Sequence, residues 1–322
     1  MRILVTGGAG YIGSHLVDRL MGEGHHVYVI DNLFTGKVAN IAHHLGHERF
    51  TFVNEDILHG ETMEWLVQQV DLIYHLAAVV GVRHVLNNPL KGILTNVRGT
   101  ERVLEMAYKY WRKVVIASSS EVYGKSERVP LAEEDDSVLG ATAVSRWAYA
   151  LSKALDEHVA FAYHRRGLST AVIRYFNSYG PRLDPQGYGS VIAKFIGQAL
   201  NGEPLTVFDD GRQTRCFTYV DDTVRGTVLA ATRPQAEGLA FNIGSNRETS
   251  VLELAHLVVR LTGSSSEIQN ITYEDAYGPG FEETRRRVPD VRRAAQVLGF
   301  EARISLEEGL RRTIDWFRSS SQ

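Results

Sequence analysis

Arg2-Ile3-Leu4-Val5-Thr6-Gly7-Gly8-Ala9-Gly10-Tyr11-Ile12-Gly13 is the stretch from which the fold is read. Its first five residues are a short buried strand by pattern. Gly7, Gly10 and Gly13 then lead into a helical spacing of Ile12, Leu16, Val17 and Leu20. Glycine lets the backbone turn sharply and approach a pyrophosphate, whose charge meets the positive end of the helix dipole. The following strand, Val27-Tyr28-Val29-Ile30, ends at Asp31, 18 residues beyond Gly13. A carboxylate at that place accepts from the adenosine ribose hydroxyls and repels a 2′-phosphate, so the pattern favours NAD over NADP.

Outward from this unit, strands and helices alternate. The sequence predicts strands at 50–53, 72–75, 114–117 and 171–174, with helices near 61–69, within 88–111, and from Tyr149 to about Arg166. This is an α/β pattern: a doubly wound parallel sheet of the Rossmann type with right-handed crossovers. Beyond residue 175, glycine- and proline-punctuated loops separate shorter elements. Residues 1–175 are therefore expected to hold the cofactor, and 176–322 to form mainly a smaller α/β substrate lobe. Two pieces near 216–245 are expected to return to the larger part: Thr218-Tyr219-Val220-Asp221-Asp222 with its helix, and Phe241-Asn242-Ile243-Gly244.

A second stretch carries the chemistry: Arg146-Trp147-Ala148-Tyr149-Ala150-Leu151-Ser152-Lys153. On a helix Tyr149 and Lys153 share a face, so the ammonium is expected to lower the phenol's pKa towards neutrality. A tyrosine so tuned shuttles a proton, and beside a dinucleotide loop it points to nicotinamide redox chemistry.

The chain of 322 residues is long enough for two lobes, and its formal net charge of −3 gives no sign of nucleic-acid or anionic-membrane binding. A small molecule is the expected partner. Cys216 is the single cysteine, which rules out an internal disulfide. The histidines, among them His25-His26 and His43-His44, show no supported ligand spacing, so no metal site is expected. The first strand begins at once, without a charged leader, and no apolar run reaches membrane-spanning length, so a cytoplasmic location is expected.

The glycine spacing, Asp31, Leu76-Ala77-Ala78, Asn96, Ser118-Ser119-Ser120-Glu121-Val122-Tyr123-Gly124 and Tyr149 with Lys153 resemble the extended short-chain dehydrogenase/reductase superfamily that acts on nucleotide sugars. The likeness covers nearly the whole chain. It implies that Tyr149 deprotonates a sugar hydroxyl, usually at C4, while NAD takes the hydride and Lys153 supports both the tyrosine and the nicotinamide ribose. It places Tyr11, Ile12, Asn32, Leu76, Ala77, Ala78 and Asn96 on the cofactor, and Asp56 and Ile57 beside the adenine. Ser119 would bond the same sugar oxygen as Tyr149. Asn177 would contact the sugar nucleotide's phosphate region. The superfamily also implies a homodimer that pairs the helices near 88–111 and 146–166.

Three outcomes follow oxidation at C4. A 4,6-dehydratase needs an acid to protonate the departing O6, and its family places an Asp-Glu pair where this chain has Ser120-Glu121; a serine hydroxyl is too weak for that. Many 4-epimerases lack an acid at the Glu121 position. The third outcome is decarboxylation of UDP-glucuronate, where the C4 ketone makes the C6 carboxylate part of a β-keto acid. The chain resembles UDP-glucuronate decarboxylases in Ala117-Ser118-Ser119-Ser120-Glu121-Val122-Tyr123-Gly124, Asp31-Asn32-Leu33-Phe34-Thr35-Gly36, Asn88-Pro89 with Thr95-Asn96, and Arg287-Val288-Pro289-Asp290. The segment from Tyr277 to Arg287, and Arg146-Trp147, resemble the decarboxylase domain of the aminoarabinose pathway and UDP-apiose/xylose synthase. That likeness implies that Arg287 faces the substrate's reactive end. It also implies that Arg215 grips the diphosphate, and that Arg182 and Tyr188, in and beside the loop Leu183–Ser190, meet the substrate where the superfamily folds over it. Dehydrogenase folds that act only as nucleotide sensors typically lose the Tyr or the Lys. Both are present here, which favours an enzyme.

Overall fold

The computed structural model describes residues 1–81, 88–184, 190–277 and 282–320. Six strands appear in the order expected: β1 (Arg2–Thr6), β2 (His26–Ile30), β3 (Phe50–Val53), β4 (Leu72–His75), β5 (Lys113–Ser119) and β6 (Thr170–Tyr175). With Ala240–Ile243 they form a seven-stranded parallel sheet among the described residues. Its order runs from the Ala240–Ile243 edge through β6, β5, β4, β1 and β2 to β3.

The sheet is covered on both faces, because the middle of each strand carries apolar residues on both sides rather than at alternate positions. Ile3 and Val5 of β1 and Val27 and Val29 of β2 pack with Leu16, Val17 and Leu20 from the helix Tyr11–Gly22. Leu4 and Ile30 face the other way, against Met63, Leu66 and Val67 of the helix Gly60–Gln69 and Val103 and Leu104 of the helix Pro89–Tyr110. The Pro89–Tyr110 helix is started by Asn88, whose side chain accepts from the Lys91 N–H, and by Pro89 in the first turn. It packs along the helix Ala148–Arg165, which carries Tyr149 and Lys153.

Short pairs of strands lie outside this sheet. Thr214–Cys216 pairs with Glu248–Ser250 and with Arg286–Arg287, and Leu205–Phe208 pairs with Ile268–Ile271. Strand alternation decides the fate of the basic run at 285–287: Arg286 is exposed and Arg287 is buried. No described helix is long and apolar enough to cross a membrane.

Candidate active site

The carboxyl ends of β1, β2, β4 and β5 open onto a cavity of about 740 Å³. Parallel sheets bind ligands at this edge, where the strand order reverses beside β1. Gly7, Gly10, Tyr11, Ile12 and Gly13 line one end, with Asp31, Asn32, Asp56 and Ile57 beside them. Gly7 has φ +72°, and a Cβ there would lie 2.8 Å from the Ala77 amide nitrogen. A Cβ on Gly13 would lie 2.1 Å from the Gly7 carbonyl oxygen. The loop therefore keeps its shape only with glycine at both positions.

Asp31 also organises this loop, because its carboxylate accepts from the Ala9 N–H at 3.0 Å and the Leu33 N–H at 2.8 Å. The carboxyl is pushed up by burial, which those backbone donors oppose. Asn32 donates to Asp56 at 2.9 Å. A glycine-walled cradle at a helix start, with a carboxylate on the next strand, fits a dinucleotide.

Leu76, Ala77 and Ala78 carry the wall from the cradle to the reactive end, where Ser119, Ser120, Glu121, Tyr149 and Lys153 come together. Ser119 ends β5 and accepts from the Glu121 N–H at 3.2 Å, so the strand end itself aims Glu121. Burial lifts the Tyr149 phenol above its ordinary range; Lys153 and the Ser119 hydroxyl pull it down, and Glu121 adds to the rise. The expected lowering of Tyr149 towards neutrality is thus corrected. Lys153 acts in the foreseen direction, but the loss of water around the phenol outweighs it.

Glu121 is held by two guanidinium groups. Arg146 donates to it at 2.7 and 3.3 Å, and Arg287 forms a second ion pair with it. Burial would raise the Glu121 carboxyl, yet Arg287 and then Arg146 overcome that and hold it far below the usual carboxylate range. It stays ionised at neutral pH and is no general acid there. The segment bearing Arg287 is tied to the start of the Tyr149 helix, since Trp147 Nε1 donates to Glu282 at 2.7 Å, and within it Thr284 accepts from Arg287 at 3.2 Å.

Other expected positions fall differently. Asn177 and Arg182 line the cavity, both at positive φ. Arg182 donates to Asp18 at 2.7 Å through Nη2, while its Nη1 is buried without a hydrogen-bond partner among the described residues. Asn96 stands behind the wall: it accepts from the Val79 N–H at 2.7 Å and donates to Ser152 at 3.3 Å. Arg215 is not on the wall either, and its guanidinium meets Glu283 at 2.9 Å. Tyr188 lies outside the described residues, as do most of the loop at 183–190 and residues 278–281.

Sequence reasoning gave Arg146 no role of its own, although its place three residues before Tyr149 puts it at the same helix start. It also found no partner for His43 and His44. Both rings reach Asp18, at 2.7 and 2.8 Å, from a separate element that spacing alone does not reveal.

Residues 3–244 match the NAD dependent epimerase/dehydratase family. The chain belongs to that family. NAD is the cofactor of this epimerase/dehydratase family member, and the glycine cradle and Asp31 fit it. The family member is 43% identical over 321 residues to the UDP-N-acetyl-alpha-D-glucosaminuronate decarboxylase of Bacillus cytotoxicus, covering 98% of each chain. It is 40% identical over 318 residues to UDP-glucuronic acid decarboxylase 1 of Xenopus tropicalis, covering 98% of its own length and 72% of that protein. Among solved structures, the UDP-glucuronic acid 4-epimerase of Bacillus cereus, in complex with UDP-glucuronic acid and NAD, aligns with a TM-score of 0.89 and 32% identity. That alignment covers 99% of this chain and 100% of the other.

Proposed function

We propose that this enzyme oxidises C4 of UDP-glucuronate and then releases C6 as carbon dioxide, leaving UDP-xylose or a UDP-4-keto-pentose. The observation that carries this reading is the Arg146–Glu121–Arg287 cluster on the wall beside Tyr149. Arg146 also meets Glu283 at 3.8 Å, which Arg215 shares at 2.9 Å, so three guanidinium groups against two carboxylates leave a net positive charge beside the place a sugar carboxylate would take. Decarboxylation calls for such a site, whereas dehydration calls for an acid that an ionised Glu121 and the Ser120 hydroxyl do not supply. The named decarboxylases among the relatives support the same choice.

In this mechanism Tyr149 takes the proton of the C4 hydroxyl, with Lys153 stabilising the phenolate and Ser119 bonding the same oxygen. NAD, when bound, supplies the hydride acceptor. Arg287 and Arg146 orient the C6 carboxylate. When the C5–C6 bond breaks, its electron pair flows into the C4 carbonyl, and Tyr149 and Ser119 stabilise the oxygen that gains charge. A proton from water adds at C5 as the ketone reforms, and UDP-xylose results where C4 is then re-reduced by the hydride taken up in the first step. Asn177 and the open Nη1 of Arg182 face the phosphates. Residues 1–175, with the returns near 216–245, hold the cofactor, and 176–322 bind mainly the substrate. We place the enzyme in the cytoplasm as a homodimer. The exposed Leu90 and Ile93 on one helix and Leu151 and Leu155 on its neighbour form the apolar face that a second copy covers.

The test is incubation with UDP-glucuronate and NAD, followed by product separation. Carbon dioxide with a pentose nucleotide is expected; UDP-galacturonate without gas overturns the proposal in favour of epimerisation. The 43% relative favours a second substrate reading, the 2-acetamido uronate, and UDP-N-acetylglucosaminuronate in a parallel incubation decides between the two.

A further inference from the structure

We propose that Asp156 is a positioning residue, the buried counter-ion of Lys153 that sets the field Lys153 exerts on Tyr149. The inference rests on the reading of Tyr149 as the proton acceptor. Asp156 lies three residues beyond Lys153 on the helix Ala148–Arg165, and its Oδ2 accepts from Lys153 Nζ at 3.1 Å. The two side chains are 1% and 3% exposed. Lys153 lines the cavity and Asp156 does not, so Asp156 acts through the lysine.

A hydrogen-bonded chain approaches Asp156 from behind. The Ala77 N–H can only donate, and it does so to Thr6 Oγ1 at 3.1 Å. Thr6 Oγ1 also lies 2.8 Å from His75 Nδ1. The other ring nitrogen, Nε2, meets Thr100 Oγ1 at 3.1 Å. Burial raises the Asp156 carboxyl, and Thr100, the next group along, draws it down against that rise. Burial, and then the charge of Lys153, depress His75 to about 3, so it stays neutral at ordinary pH. Ala77 on the cavity wall and Lys153 at the reactive end are thus tied to one buried carboxylate.

The neighbouring charges explain why this carboxylate matters more than the others. Glu157, the next residue, is taken up by Arg174 at 2.7 and 2.9 Å and by the Ser118 hydroxyl. Glu121 is held between Arg146 and Arg287. Asp156 is matched by Lys153, and the charge it draws is the one Tyr149 depends on. Burial alone would lower the Lys153 ammonium; Asp156, followed by Tyr149, outweighs burial and keeps it above its ordinary range. With Asp156 ionised, Lys153 presents the phenol with a dipole rather than a full charge. Removing that carboxylate leaves the Tyr149–Lys153 pair with a net positive charge, and its first proton is then lost more readily whichever residue gives it up.

The test is a pH titration of the full-length protein without cofactor, with carbon-13 labelled tyrosine and Tyr149→Phe to assign the signal. In Asp156→Asn the first step of the Tyr149–Lys153 pair should fall by roughly one pH unit or more, with the acidic limb of the kcat/KM profile moving with it. Asp156→Glu should return both towards wild type. A folded Asp156→Asn protein that titrates as wild type overturns the inference. Asp156→Ser, which removes the charge without added bulk, takes its place with the same expectation if the asparagine variant does not fold. The titration reads Asp156 alone, whereas undiminished turnover by Tyr149→Phe would overturn the proton-acceptor role itself, so the two failures are distinct.

Discussion

Glu121 and Arg287, 166 residues apart in the chain, form a buried ion pair on the wall of the cavity that holds Tyr149. Neither residue's own element explains the contact. Glu121 is aimed by the end of β5, and Arg287 by a two-residue strand paired with Arg215. Their meeting gives a catalytic wall its charge.

Replacing Arg287 with alanine should lower turnover of UDP-glucuronate far more than it weakens NAD binding, because the guanidinium stands at the sugar end. It should also lower stability by about 3 kcal/mol, since a buried carboxylate loses one of its two partners. Steady-state kinetics, NAD titration and denaturant unfolding together check the pattern.

Tyr149→Phe should reduce oxidation at C4 by roughly 10²–10⁴-fold while leaving NAD affinity near wild type. Single-turnover absorbance of the nicotinamide and a binding titration separate the two effects.

Acid should destabilise the protein in two windows. His75 falls from an ordinary 6.5 to about 3 in the fold, so below pH 6.5 the unfolded chain takes up a proton that the folded one refuses. Unfolding free energy should drop by about 2 kcal/mol between pH 7 and pH 5, and His75→Gln should show a flatter profile. Glu121, depressed by its arginines, contributes stability that is complete above the ordinary carboxylate range and is lost as pH falls through it. Glu121→Gln should be less stable at pH 7 yet lose less on further acidification below about pH 5.

Gly13→Ala should weaken NAD binding by at least about tenfold, because its methyl group would meet the Gly7 carbonyl at 2.1 Å and open the phosphate cradle. Calorimetric titration with NAD reads this without any substrate.

Arginine at both Leu151 and Leu155, which share an exposed helix face, should give monomers by analytical ultracentrifugation if that face is the dimer contact.

Sequence alone determined the sheet and the cofactor and singled out Tyr149 as the proposed reacting group, because each depends on residues close together in the chain. Strand periodicity, the glycine triad before a helix, Asp31 at a strand end and the Tyr149–Lys153 spacing are local patterns. Tertiary structure decided the electrostatics. It showed that burial outweighs Lys153 at Tyr149, that Glu121 stays an anion at neutral pH, and that Arg146 shares it with Arg287. It also moved Asn96 and Arg215 off the cavity wall. The physical reason is that the strength of a charge depends on the water it has lost and on partners brought close by packing.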